Sequence, residues 1–135
     1  MIMRYKRPDK KNALSIVNAA KKDVKYNLSL KPTEESASTI IRSIYEGFRM
    51  LGDALLVAKG IEAADHIEPI KELLKLKVVT KRPINLIDNL RQLRHNINYY
   101  GYSPNLLELE DVRSLAETCF EPLLKAATEE INSKE

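Results

Sequence analysis

The stretch from Thr33 to Gly60 constrains the fold more than any other part of this chain. Ile40, Ile41, Ile44, Tyr45, Phe48, Leu51, Leu55 and Leu56 recur at three- and four-residue steps. That is the period of an amphipathic helix, not of a strand. The face they form is wide enough to touch two neighbours, which places this helix at the centre of a bundle. Thr33 suits the N-cap, and Glu34 and Glu35 suit the positive end of the helix dipole. The helix is expected to end near Lys59, with Gly60 as its C-cap. Glu46 and Asp53 lie seven residues apart on one face, where a solvated edge is the ordinary reading and a functional pair the sharper one.

The remaining helices follow from the same period. A first helix is predicted from Pro8 to Leu28, with Leu14, Val17, Ala20, Val24 and Leu28 as its apolar stripe and Arg4 to Asp9 as a lead-in. Asp65 can cap a short helix from His66 to Leu76. A lone His66 there reads as a structural hydrogen-bonder rather than a metal ligand. No second His or Cys stands at ligand spacing, so no metal and no cofactor are predicted. Lys75 to Arg82 is a basic connector, and Pro83 opens a helix that Gly101 and Ser103-Pro104 close. The last helix is predicted from Glu108 to Ile131, kinked at Pro122. The fold class is therefore all-α: one domain over residues 1–135, an up-and-down four-helix bundle with an extra short helix, frayed at 1–7 and 132–135.

Composition narrows the function classes. At 135 residues the chain can bury a real core. Its net charge of +3 hides an asymmetry: residues 1–31 carry nine Lys or Arg against two Asp, while residues 104–135 carry three against eight acids. The basic end can attract phosphates or pair with the acidic end of the same bundle or of a second subunit. No apolar run approaches the roughly 20 residues that span a bilayer, so no membrane partner is predicted. Cys119 is the one cysteine. It reads as a buried small side chain in a reducing compartment, and a cytoplasmic location is expected.

Polar chemistry concentrates in Arg91-Gln-Leu-Arg94-His95-Asn96-Ile97-Asn98-Tyr99-Tyr100-Gly101-Tyr102. On a wheel of about 100° per residue, Leu86, Leu90, Leu93, Ile97 and Tyr100 cluster within about 80°. Asp88, Arg91, Arg94, His95 and Asn98 lie opposite. The core face is thus filled and a separate polar stripe is aimed elsewhere. Asn85, Asn89, Gln92 and Asn96 form a flank that fits an interface or a wet face.

In this frame the stretch resembles the HEPN family (higher eukaryotes and prokaryotes nucleotide-binding domains). The family motif is an Arg followed by Asn, Asp or His, then a His four to six residues beyond the Arg, often followed by Gly-Tyr. Arg94 and His95 match the first positions, and Tyr100-Gly101-Tyr102 stands where His-Gly-Tyr is expected. Ile44 to Leu55 and Lys59 to His66 are similar to the family's second helix and the turn after it. The resemblance implies a homodimer whose Arg motifs face a shared groove. It also implies metal-independent ribonuclease chemistry of toxin–antitoxin type. Arg94 would hold the phosphate, with Arg91, Asn98 and Tyr99 beside it.

This chain departs from the motif at the catalytic His. Tyr99 and Tyr100 occupy the candidate positions, and a phenol with an ordinary pKa of about 10 is a poor base at neutral pH. His95 is the available imidazole. It can replace the base only across a dimer groove in which the other subunit supplies Arg94. The reading is a domain that binds RNA or nucleotide phosphate, and if it also cleaves, the resemblance implies Arg94, His95 and Tyr100 as the catalytic set. A reading from another class is a non-catalytic partner of a minimal nucleotidyltransferase, where the resemblance implies Tyr102 as an AMP acceptor. The plain structural reading has Arg91, Arg94 and Asn98 lacing a dimer interface, with the tyrosine hydroxyls at its rim.

Overall fold

The computed structural model describes residues 3–65 and 67–133. They form helices α1 (Lys10–Ser29), α2 (Glu34–Lys59), α3 (Ile67–Leu74), α4 (Leu86–Tyr100) and α5 (Leu106–Asn132), with two short strands, β1 (Met3–Tyr5) and β2 (Ile61–Ala63). The fold is all-α apart from that ribbon.

Helix α2 is the centre, as its pattern predicts. Thr33 Oγ1 accepts from Ser36 N at 3.0 Å and Ser36 Oγ accepts from Thr33 N at 2.9 Å, a reciprocal cap that satisfies two orphan amide donors. Gly60 ends the helix in the left-handed region at φ 77°. All eight residues of the predicted apolar face are buried. α2 packs against α1, α5, α3 and α4, so a face wide enough for two neighbours serves four. Phe48 meets Phe120 of α5 edge-on, with ring centroids 5.6 Å apart. Gly52 lets α3 approach: a Cβ there would lie 1.9 Å from the Pro69 carbonyl oxygen.

Several boundaries differ from the periodic reading because local hydrogen bonds set them. α1 starts at Lys10 rather than Pro8, because the Asp9 carboxylate accepts from Asn12 N at 2.9 Å. α5 starts at Leu106, two residues before Glu108. Asn105 Oδ1 accepts from Glu108 N at 2.8 Å, and Glu108 Oε1 accepts from Asn105 N at 3.1 Å. α5 then runs through Pro122 as a single helix to Asn132. α4 starts at Leu86 rather than Pro83, since residues 83–87 close tight turns: Leu86 N donates to Pro83 O and Ile87 N to Ile84 O. α3 is capped by Asp65, which accepts from Ile67 N and Glu68 N at 3.1 and 3.2 Å, and it ends at Leu74 rather than Leu76. His66 lies outside the described residues.

The expected lead-in is ordered by tertiary pairing. β1 and β2 are antiparallel, with Met3 opposite Ala63 and Tyr5 opposite Ile61. Asp9 N donates to Val57 O at 3.2 Å, which ties the segment before α1 to the end of α2. Cys119 is buried as predicted, and its Sγ donates to the Arg82 carbonyl at 3.3 Å. The Arg82 guanidinium bonds Asp111 at 2.8 Å, so the connector before α4 is fastened to α5 at both groups.

Candidate functional site

The polar stripe of α4 lies closer to the core than the wheel implies. Its buried residues are Ile87, Leu90 and Ile97. Tyr100, placed in the core sector by the sequence, is 76 % exposed, and Leu86 and Leu93 are only half-buried. Ile87 and Arg94 are seven residues apart and share a side of the helix. Docking on α2 has turned that side inward and Tyr100 outward. This corrects the expected core face and brings Arg94 onto the central helix.

Arg94 lies with its guanidinium carbon 5.5 Å from the centre of the Tyr45 ring. Such a cation over an aromatic face is worth about 0.5–2 kcal/mol, more as water is excluded. With the Asn98 amide turned so that its oxygen faces Arg94, it accepts from Nε at 3.1 Å and Nη2 at 3.3 Å. In the opposite orientation the oxygen accepts from Arg42 Nη1 at 3.4 Å. The first orientation makes two shorter bonds and is the better satisfied. Asn98 thus sits between two arginines, and neither Arg42 nor Arg94 has a carboxylate within 4.0 Å among the described residues. Guanidinium donors without a carboxylate partner are suited to an oxyanion.

The other expected site residues go to different tasks. Arg91 is held by Asp88, with Nε donating at 2.9 Å. The His95 ring packs on Tyr99 at 4.6 Å and meets Tyr100 edge-on at 5.8 Å. Tyr99, expected to bind phosphate, is 68 % exposed, and its ring contact is with His95. Tyr102 donates its hydroxyl to Glu108 Oε1 at 2.6 Å, and that bond pushes its pKa above the usual phenol value. Of the flank residues, Gln92 and Asn96 bond each other at 3.3 Å on an exposed face.

Three residues escaped the sequence reading. Tyr45 appeared only as a core side chain, yet its ring is the platform for Arg94. Burial pushes its phenol pKa up, and the charges of Arg94, Arg49 and Arg91 pull it part of the way back. The phenol therefore stays protonated at neutral pH. Arg42 carried no signal beyond exposure. Arg49 was readable: it lies three residues after Glu46 and four before Asp53, the spacing of helical ion pairs. It bonds both carboxylates, clasping Glu46 through Nε and Nη2 and Asp53 through Nη1.

In one chain this arrangement can seat an oxyanion, while the His95 ring is packed against Tyr99 and Tyr100. Among the described residues no three His, Cys, Asp or Glu side chains converge as metal ligands. None of the described helices is long and apolar enough to cross a membrane. No protein-family model, curated protein or solved structure matches the chain.

Proposed function

We propose that this protein binds RNA or nucleotide phosphate at Arg94, with Arg42 beside it. The frame is an HEPN-like, up-and-down arrangement of α1, α2, α4 and α5 that works as a homodimer through the polar stripe of α4. The observation that carries the reading is the state of Arg94. Its guanidinium is half-buried, seated on the Tyr45 ring and the Asn98 amide, and free of any carboxylate within 4.0 Å among the described residues. Arg49 and Arg91, by contrast, are paired with acids on their own helices. Cleavage would require His95 of one subunit to face Arg94 of the other, because each chain keeps its His95 ring on its own tyrosines.

The test is fluorescence anisotropy of a labelled single-stranded RNA across a salt series. Arg94→Ala is expected to weaken binding about 10- to 100-fold, the worth of a charge-assisted hydrogen bond. It should also lower the salt slope by about 1, the signature of one lost phosphate contact. Arg94→Lys should restore part of the salt slope. Binding that is unchanged in Arg94→Ala sinks the proposal. Incubation of the same RNA in EDTA reads the chemistry: cleavage lost in both Arg94→Ala and His95→Ala adds a ribonuclease step, and intact RNA leaves a binding protein.

A further inference from the structure

Helices α4 and α5 both pack on α2 but touch each other little, and a groove of about 390 Å³ is left open between them. Leu90, Val112 and Leu115 form its floor and are buried. Leu86 and Leu93 on the α4 wall are half-buried, and Leu107 on the α5 wall is 81 % exposed. Tyr100 continues the line of Leu86 and Leu93 at the same seven-residue spacing and is also exposed. Five of the nine exposed large hydrophobic side chains among the described residues fall within 99–107, where α4 ends and α5 begins. Single exposed apolar side chains are ordinary, but such a concentration beside an apolar groove marks an interaction surface.

The chemistry of the walls selects the occupant. Glu108 and Asp111 line the groove with Asn89 and Asn105, and no cation does. Asp111 is bonded to Arg82 at 2.8 Å, while Glu108 accepts from Tyr102 and Asn105 and has no cation within 4.0 Å among the described residues. α5 as a whole carries seven acids against Arg113 and Lys125, in a chain whose net charge is +3. That local field repels phosphate and anionic lipid and favours a cationic partner. Both walls are helices whose backbone groups are bonded within themselves, so they offer no strand edge to an extended peptide. A segment that docks here must satisfy its own backbone, which a helix does. α1 holds five lysines, but its apolar residues Val17, Ala20 and Val24 are buried, so a second copy has no apolar stripe to offer from that helix.

We propose that the α4–α5 groove docks an amphipathic helix of a partner protein, with leucine-type side chains along one face and Lys or Arg beside them. The apolar face of that helix packs on Leu86, Leu93 and Leu107, and its cations meet Glu108 and Asp111. None of the residues around Arg94 lines this groove. The partner helix therefore uses a surface separate from that of the proposed RNA site.

Titration of the full chain with a synthetic helical peptide of about 18 residues tests the idea. The peptide carries leucines at three- and four-residue steps and lysines on both flanks, and its control has glutamate at every lysine position. Saturable binding of the lysine peptide is expected, at least about tenfold tighter than that of the glutamate peptide. It should weaken as salt is raised. The methyl NMR signals of Leu86, Leu93 and Leu107 should shift on binding. Leu107 is exposed, so Leu107→Ala leaves the fold intact; it should weaken the peptide about tenfold, the worth of one newly buried aliphatic side chain. Arg94→Ala should bind the peptide normally, so failure of the RNA reading leaves this result standing. Equal affinity for the two peptides, shifts confined to other residues, unchanged affinity in Leu107→Ala, or no saturable binding below about 1 mM overturns the proposal.

Discussion

Glu72 and Asp53 are both withdrawn from water beside α2, and their pKa values move in opposite directions. Burial pushes Glu72 up, but hydrogen bonds from Lys59 and Lys75, and their charges, more than offset it, so the net shift is downward. Burial also pushes Asp53 up, and there a single Arg49, shared with Glu46, does not compensate. Glu72 has two cationic partners and Asp53 shares one, and the opposite shifts follow that difference in partners. Glu72 joins α2 to α3 at a closely packed contact. Asp53 faces an open cleft with its pKa raised by burial, which makes it a candidate binding residue as well as a member of the Arg49 ion-pair chain.

The strongest test of the packed side of this comparison is Gly52→Ala. The added Cβ would meet the Pro69 carbonyl and force α3 away from α2, taking Glu72 with it. The expected cost is about 3 kcal/mol, at the upper end of overpacking effects, read as a lower denaturation midpoint in urea. Next in size is Glu72→Gln, which removes the carboxylate that both lysines bond. A loss of about 1.5–3 kcal/mol is expected at pH 7. Because its folded pKa is lowered, Glu72 contributes stability above the ordinary glutamate value of 4.5 and loses it as pH falls through the lower folded value. Stability of the unmodified chain should therefore fall more steeply below pH 4.5 than that of Glu72→Gln, in denaturation curves collected across that range.

Asp53→Asn should have the smallest effect on folding, within about 0.5 kcal/mol at pH 7. A raised folded pKa means that Asp53 favours folding below the ordinary aspartate value of 3.8 and that this contribution is lost as pH rises through the folded value. The neutral variant should remove that trend. A loss in Asp53→Asn as large as that in Glu72→Gln would break the comparison and make the Arg49 chain a structural clasp.

Much of the helical architecture was legible because its signals are local. The cap at Thr33, the stop at Gly60, the Asp65 cap and the α2 apolar face all depend on residues within one or two turns. The ribbon was not legible. Strands of three residues show no period, and β1 pairs with a segment nearly sixty residues away through its backbone. Pro8 was read as a helix start because proline suits that place, but the carboxylate of Asp9 competed successfully for the first-turn amide.

At the candidate site, the sequence placed Arg94 and Asn98 on one polar stripe, and the two are in contact. It placed Tyr100 in the core and Arg94 opposite, because a wheel centred on leucines ignores how a helix is rolled on its neighbour. By itself, the sequence determined the helices, their caps and the cationic character of α4, all consequences of short-range periodicity and hydrogen bonding. Only the tertiary structure decided that Tyr45 would lie under Arg94, that Lys59 of α2 would reach Glu72 of α3 and that Asp53 would face a cleft. Those outcomes depend on the roll and closeness of packed helices, which side-chain volumes such as the missing Cβ of Gly52 set between elements rather than within them.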